Sequence, residues 1–299
     1  MVTLIAGRLR IGSLTMLLPA LLIVVGLGLY PIGQGIYLGV TNYRVGGTFG
    51  LAQIRIVGLS NFQRLFADEQ FTSGLVLIIE VGLLVVGATY CLAYLQAVLL
   101  NRPFRFRRVV RTIVLLPIAI PPLIAGEVWR YLYDPNVGAV NQFLVAVHLE
   151  KAPRYLPLDP SYGVMWIAVV GVWLALPFAT LLLLAAIQSV NSELLEAAEI
   201  DGADAWRRFV HVTFPATRNV LAAILPLSFA GQLLAFDVYF ALGGGGATAR
   251  AGFLVPTMYA FFELSSGLIG RAAAVGDIIL IVALAAFVLS RAISTRDAV

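Results

Sequence analysis

The chain has one cysteine, one lysine and two histidines in 299 residues, and only 12% of it is charged. A lone cysteine, Cys91, excludes an internal disulfide and any cysteine-built zinc or iron–sulfur centre. It is expected to pack inside an apolar core. His148 and His211 are the only imidazoles, and the sequence contains neither H-E-x-x-H nor G-x-S-x-G. The intramembrane protease and lipid-transferase classes are therefore left without recognisable machinery. Lys151, the single lysine, is not preceded by a glycine loop, so the chain has no Walker A motif. With a net charge of +4 and basic residues scattered rather than striped, nucleic acid is not an expected partner. No catalytic residue and no metal ligand set emerge.

What is present is apolar. Hydrophobic residues make up 60% of the chain and the mean hydropathy is +0.93, far outside the soluble globular range. A membrane helix needs about 20 apolar residues, so this length suits about six spans. Apolar length places them near Leu14–Val40, Thr72–Leu100, Val109–Tyr131, Val164–Ile187, Val220–Leu242 and Ala272–Ile293. The first run is too long for a signal-peptide core and lacks a small-x-small cleavage site, so it reads as a retained span. Several spans contain proline, which bundles tolerate where neighbouring helices satisfy the freed carbonyls.

Arginine sets the orientation. Arg8 and Arg10 precede span one. Arg102, Arg105, Arg107, Arg108 and Arg111 lie between spans two and three, Arg207, Arg208 and Arg218 between four and five, and Arg291 and Arg296 at the tail. With six spans all these segments fall on one side, and the positive-inside rule assigns both termini to the cytoplasm.

One stretch on that side is unusually polar: EAAEIDGADAWRRFVHVTFP, Glu196–Pro215. Asn191 and Ser192 can cap a short helix with Glu193 near its positive end. Gly202 stops it, and Asp204 can cap a second helix expected to end before Pro215. Leu194, Leu195 and Ala198 share one face of the first, and Trp206, Phe209 and Val210 one face of the second. This helix–turn–helix fits a docking element, an interfacial helix on headgroups, or a loop packed on its own bundle. The acidic first helix would repel phosphate, which excludes a DNA reader. A scaffolding membrane protein would explain the hydrophobicity but not this loop.

The same stretch resembles the EAA loop of MalF-like sugar permeases of binding-protein-dependent ABC importers. Glu196, Ala197, Ala198, Gly202 and Pro215 match its pattern. GLSNFQRLF (58–66), LLPIAIPPLIAGEVWRYLYDPNVGAVNQFL (115–144) and FDVYFALGGGG (236–246) resemble further family segments. Where the family usually has Thr-Gly-Gly-Gly-Pro, this chain reads Leu242 followed by Gly243–Gly246. The resemblance implies an all-α, MetI-like (type I importer) permease, with residues 1–71 an N-terminal span and external loop and 72–299 a five-span core holding the coupling loop, 189–219. It implies a non-catalytic subunit of the bacterial or archaeal inner membrane. Its partners would be a second, MalG-like permease, two copies of an ABC ATPase that bind ATP and Mg, an external solute-binding protein, and membrane lipid. No cofactor would be bound by this chain. Glu196, Ala197, Ala198, Gly202 and Asp204 are then the coupling residues, with Trp206 and Phe209 as apolar anchors.

Four carboxylates fall within the predicted spans: Glu80, Glu127, Asp237 and Asp277. Intramembrane ionisable groups face water, a partner or a cavity. Glu127 can pair with Arg130 one turn on, and Asp277 is expected near the headgroups. Glu80 and Asp237, with Gln232 and Tyr239, form the candidate solute path. Such groups accept and donate hydrogen bonds to hydroxyls, so the expected solute is a neutral carbohydrate. Glycerol phosphate or a cationic solute is the alternative.

Overall fold

Lipid offers no hydrogen bonds to the backbone, so an apolar run that crosses it folds as a helix. The computed structural model of the chain describes residues 11–45, 54–245 and 253–296; Arg8, Arg10 and Gly246 lie outside them. Among the described residues every regular element is a helix, with one isolated bridge between Thr41 and Ile56. In order they form α1 (Ile11–Ile23), α2 (Tyr30–Gly39), α3 (Ser60–Ala67), α4 (Glu69–Asn101), α5 (Arg107–Leu115), α6 (Pro122–Leu132) and α7 (Ala139–Ala146). There follow α8 (Gly163–Gln188), α9 (Ser192–Ile200), α10 (Ala205–Arg208), α11 (Phe214–Leu233), α12 (Asp237–Leu242), α13 (Pro256–Ser265) and α14 (Ile269–Arg296).

Five stretches are long and apolar enough to cross a membrane: Leu17–Gly39, Glu69–Asn101, Gly163–Gln188, Ala205–Leu233 and Ile269–Ser290. A sixth, Arg107–Ala119 with Pro122–Leu132, is bent by 99°. Packing decides what that bent pair does. Gly171 of α8 faces Val85 of α4, where a β-carbon would come within 2.7 Å of Cγ2, and Thr180 of α8 donates to Gln96 Oε1 at 2.9 Å. Residue numbers rise together, so α4 and α8 run parallel. Two parallel spans require the chain to return between them, and the bent pair is the apolar segment there. It is the sixth crossing expected at 109–131, and it is broken at its prolines. Pro121 and Pro122 explain the break. Each lacks an N–H, and a residue before proline is driven to extended backbone, as Ile120 (ψ 121°) and Pro121 (ψ 137°) are.

The chain divides into two compact units, Met1–Leu65 with Ala260–Ile278, and Phe66–Tyr259 with Ile279–Val299. In the first, Asn61 is buried and its amide donates to the Gly39 and Thr41 carbonyls at 2.8 Å each. Asp277 is also buried, lies against Gly39 and has one carboxylate oxygen without a partner, so its carboxylate faces protein.

In the second unit, α4 and α8 build the core. Tyr90, Ala93, Tyr94, Ala97 and Leu100 meet Ala179, Leu183, Leu184 and Ile187. Small alanines on both faces allow the close approach that membrane helices rely on. α11 runs antiparallel to them: Tyr94 reaches Thr217 at its start, and Tyr90 reaches Ser228 near its end. Its helix stops at Leu233, nine residues before the expected end of the span. The break leaves the Ala235 carbonyl free of the helix, and Thr257 Oγ1 donates to it at 2.9 Å. Cys91, expected to pack in the membrane core, lies within the second span on the exposed face of α4.

Both π-helical stretches precede a proline. Val24–Leu29 comes before Pro31 and Phe209–Thr213 before Pro215. The residue ahead of each proline donates five residues back, Tyr30 to the Val25 carbonyl and Phe214 to the Phe209 carbonyl. Widening the turn accommodates the proline ring and its missing N–H without breaking the helix. The segment after Asp204 therefore does not end at Pro215 as expected. It runs on as one helix from Ala205 to Leu233.

Candidate functional site

The polar stretch 192–215 folds as an elbow at the end of the second unit where α4 and α8 terminate. Asn191 Oδ1 accepts from the Glu193 N–H at 3.0 Å and caps α9. At the far end of α9 the Gly202 N–H bonds the Glu199 carbonyl at 3.0 Å and the Ala203 N–H bonds the Ala198 carbonyl at 2.9 Å. This is a Schellman closure, and it places Gly202 at φ +80°. Among the described residues, none beyond its two chain neighbours comes within 4 Å of where a Gly202 β-carbon would stand. Asp204 then caps α10, its carboxylate accepting from the Arg207 N–H at 2.8 Å. Arg208 pairs with Glu199 at 2.6 Å and ties the two arms together.

The expected coupling residues are thus in one place, facing different ways. Glu196, Ala197, Gly202, Asp204 and Pro215 are exposed, and Ala198 is half-buried. Trp206 is 70% exposed and Ile200 87%, an unusual amount of apolar surface for a charged turn. Phe209 points inward. It stacks on Trp206 at 5.7 Å and meets Tyr94 edge-on at 5.2 Å, while the Tyr94 hydroxyl bonds Thr217. An unbroken line of contact therefore runs from the elbow surface through Trp206 and Phe209 to the core of α4. Arginines stand at the same end: Arg107 donates from Nε to the Leu100 carbonyl at 2.7 Å and Arg111 to the same carbonyl at 3.2 Å, capping α4.

The opposite end of the unit is closed by the loop before α8. Asn141, buried, donates to the Tyr133 carbonyl at 2.6 Å, and Arg154 pairs with Glu150 at 2.7 Å and with Asp159. The Tyr155 hydroxyl donates to the Leu242 carbonyl, and burial pushes its pKa up.

The candidate solute-path residues differ in their surroundings. Glu80 and Asp237 are exposed, and Tyr239 is buried edge-on to Phe253. Glu127 pairs with Arg130 at 2.7 Å. Gln232 alone lines a cavity, of about 450 Å³, between α4, α8 and α11. Its other polar groups are Thr89, whose buried hydroxyl has no partner, and Tyr90 bonded to Ser228 at 2.6 Å. The rest of the lining is aliphatic or aromatic, including Val85, Phe178 and Leu182, and no lining residue is charged. Sequence reading missed Thr89, Tyr90 and Ser228; adjacent Thr-Tyr in mid-span was the available signal. Among the described residues no three His, Cys, Asp or Glu side chains converge as a metal site would need.

Residues 89–296 match the family described as binding-protein-dependent transport system inner membrane component. The chain is 32% identical over 286 residues to an inner membrane ABC transporter permease protein, YcjO, of Escherichia coli strain K12, covering 93% of this chain and 92% of that protein. It is 31% identical over 225 residues to the trehalose/maltose transport system permease protein MalF of Thermococcus litoralis, covering 75% and 76%. A crystal structure of a bacterial ABC transporter involved in import of the acidic polysaccharide alginate contains a chain with the same fold, at TM-score 0.76, 25% identity and 95% coverage of both.

Proposed function

The chain belongs to the family of binding-protein-dependent transport system inner membrane components, and from that premise we propose that it is the translocation subunit of an ATP-driven carbohydrate importer. It is a multi-pass inner-membrane protein without a nucleotide motif of its own. ATP is bound, with Mg, and hydrolysed by two copies of a cytoplasmic ABC ATPase. A second, MalG-like permease completes the pathway, an external binding protein delivers the solute, and both termini of this chain are cytoplasmic.

The observation that carries the reading is the elbow. Its exposed Trp206 and Ile200 offer an apolar seat to a partner, and its second arm is continuous with the span that follows. Force applied at Glu196–Asp204 is delivered to that span without an intervening hinge. Glu196, Ala197, Ala198 and Gly202 keep the turn slim enough to enter a groove, and Trp206 anchors it there.

The cavity holding Thr89, Tyr90, Ser228 and Gln232 is the solute path in this subunit. Hydroxyls and an amide bond sugar hydroxyls in either direction, and Tyr90 offers an apolar face to a sugar ring. Without a guanidinium in its lining the cavity has nothing to offset a phosphate, which weighs against glycerol phosphate. Without a carboxylate it has nothing to hold a cation. The name of the Thermococcus litoralis relative points to trehalose or maltose transport. The test is solute-stimulated ATP hydrolysis by the complete importer with its binding protein. Stimulation by neutral mono- or oligosaccharides is expected, and stimulation by glycerol phosphate alone would overturn the assignment.

A further inference from the structure

The first unit contains a second cavity, unlike the first. It encloses about 390 Å³ and presents the side chains of Arg44, Arg64 and Arg271 among the polar groups of Asn42, Ser60 and Asn61. The surrounding backbone is firmly tied. Asn61 clamps two carbonyls, Gly270 N–H bonds the Tyr43 carbonyl at 3.0 Å, and Val45 N–H bonds the Gly267 carbonyl at 2.9 Å.

The charge there is unbalanced. Glu263 pairs with Arg271 at 2.5 Å and is buried. Arg44 and Arg64 have no ion-pair partner among the described residues. The Arg271 Nε–H is buried without an acceptor, a costly arrangement for a donor that has left water. The site has room, donors and surplus positive charge.

Its depth follows from chain order. Gly39 ends the first span and Ile269 begins the last, so residues 41–44 and 268–271 stand at a membrane boundary, at headgroup level. Ile56 and Leu59, beside the lining residues Val57 and Ser60, are 73% and 65% exposed, and Ile36 and Tyr37 are exposed on α2 just below. A phospholipid would use that apolar skirt, because its acyl chains need an apolar wall directly beneath its phosphate.

We propose that this cavity binds the phosphate of an anionic phospholipid, with Arg44, Arg64 and Arg271 as donors. Guanidinium forks match phosphate oxygens and are weakly hydrated, which suits a half-buried site. With both termini cytoplasmic, this end of the first span is the outer one, so the lipid would come from the outer leaflet.

The test is native mass spectrometry of the full chain in detergent, titrated with phosphatidylglycerol or phosphatidylcholine. The parent should prefer phosphatidylglycerol by about tenfold or more, at two unpaired guanidinium groups. An Arg44→Ala/Arg64→Ala double variant should bind both lipids within about twofold of each other. Both side chains are exposed and unpaired, so the double variant should unfold at the parent temperature, and Arg218→Ala should keep the parent preference. Equal preference in parent and double variant would overturn the proposal. So would displacement of the lipid by millimolar inorganic phosphate, which would mark a soluble-anion site. A parent without lipid preference, whose double variant instead loses its response to the binding protein, would assign the cavity to an acidic protein surface.

Discussion

Gly202 separates the elbow's own stability from its docking role. Its φ of +80° costs a residue with a β-carbon about 1–2 kcal/mol, and less for asparagine and aspartate, which tolerate the left-handed region. A β-carbon there would meet no described residue beyond its two chain neighbours within 4 Å. Gly202→Asn and Gly202→Asp should therefore insert and fold alike. They differ in charge. An aspartate at 202 would stand beside Asp201 and near Asp204, and seating in a protein groove would desolvate it unpaired. Burial of that kind costs several kcal/mol unless relieved, and about 1.4 kcal/mol already lowers an equilibrium tenfold. The assay is transport into proteoliposomes alongside solute-stimulated ATP hydrolysis, for the parent and both variants. Gly202→Asp should lose both activities together by about tenfold or more, while basal ATP hydrolysis by free ATPase subunits is untouched. Gly202→Asn should lie between the two. A Gly202→Asp importer that inserts normally and transports at the parent rate would refute docking through this turn.

Three further outcomes are expected. In a Cys91→Ser background, cysteines at Lys151 and Asp201 should label from opposite faces of intact cells, Asp201 from the cytoplasm; labelling of both from outside would remove the six-span topology. Trp206→Ala should leave thermal stability near the parent value and weaken ATPase capture in pull-down, whereas Phe209→Ala should destabilise the chain by on the order of 2 kcal/mol because it empties the packing on Tyr94; equal stability losses in the two would mean that both rings are structural. Gln232→Leu should reduce sugar uptake without altering ATPase capture, and unchanged uptake with every sugar that stimulates the parent would take the central cavity out of the solute path.

The elbow's caps were legible because their determinants are local. Asn191, Gly202 and Asp204 each act through backbone groups within five residues, and a linear pattern contains that information. The sense in which Phe209 faces was not. Its spacing from Trp206 marks a shared apolar stripe, but whether the stripe meets a partner or the chain's own Tyr94 depends on α4, more than a hundred residues earlier. The 99° break after Ile120 is similar. Two prolines announce a disturbance, but the parallel packing of α4 and α8 is what shows that the disturbed segment still crosses. Tyr239 reads as a path residue from its neighbours Gln232 and Asp237, yet the helix stops at Leu233 and Tyr239 falls on a separate, buried turn. The stop is invisible in an apolar run because its cost is met by Thr257, from a distant segment.

Pro215 shows how the two levels combine. As a local signal it predicts the end of a helix, and an end there would have placed a joint between the docking arm and the membrane span. The π turn at Phe209–Thr213 removes the joint by letting Phe214 donate five residues back, so the helix passes the proline intact. The same widened turn begins at Phe209, the ring that locks the arm onto Tyr94. A proline at this point therefore stiffens the transmission. It fixes one backbone angle, removes a donor that could have supported a regular turn, and sets the arm's direction where the aromatic contact holds it. Under the proposed docking role, motion of the elbow is passed to α11, whose Ser228 and Gln232 line the central cavity, three turns and more beyond the proline.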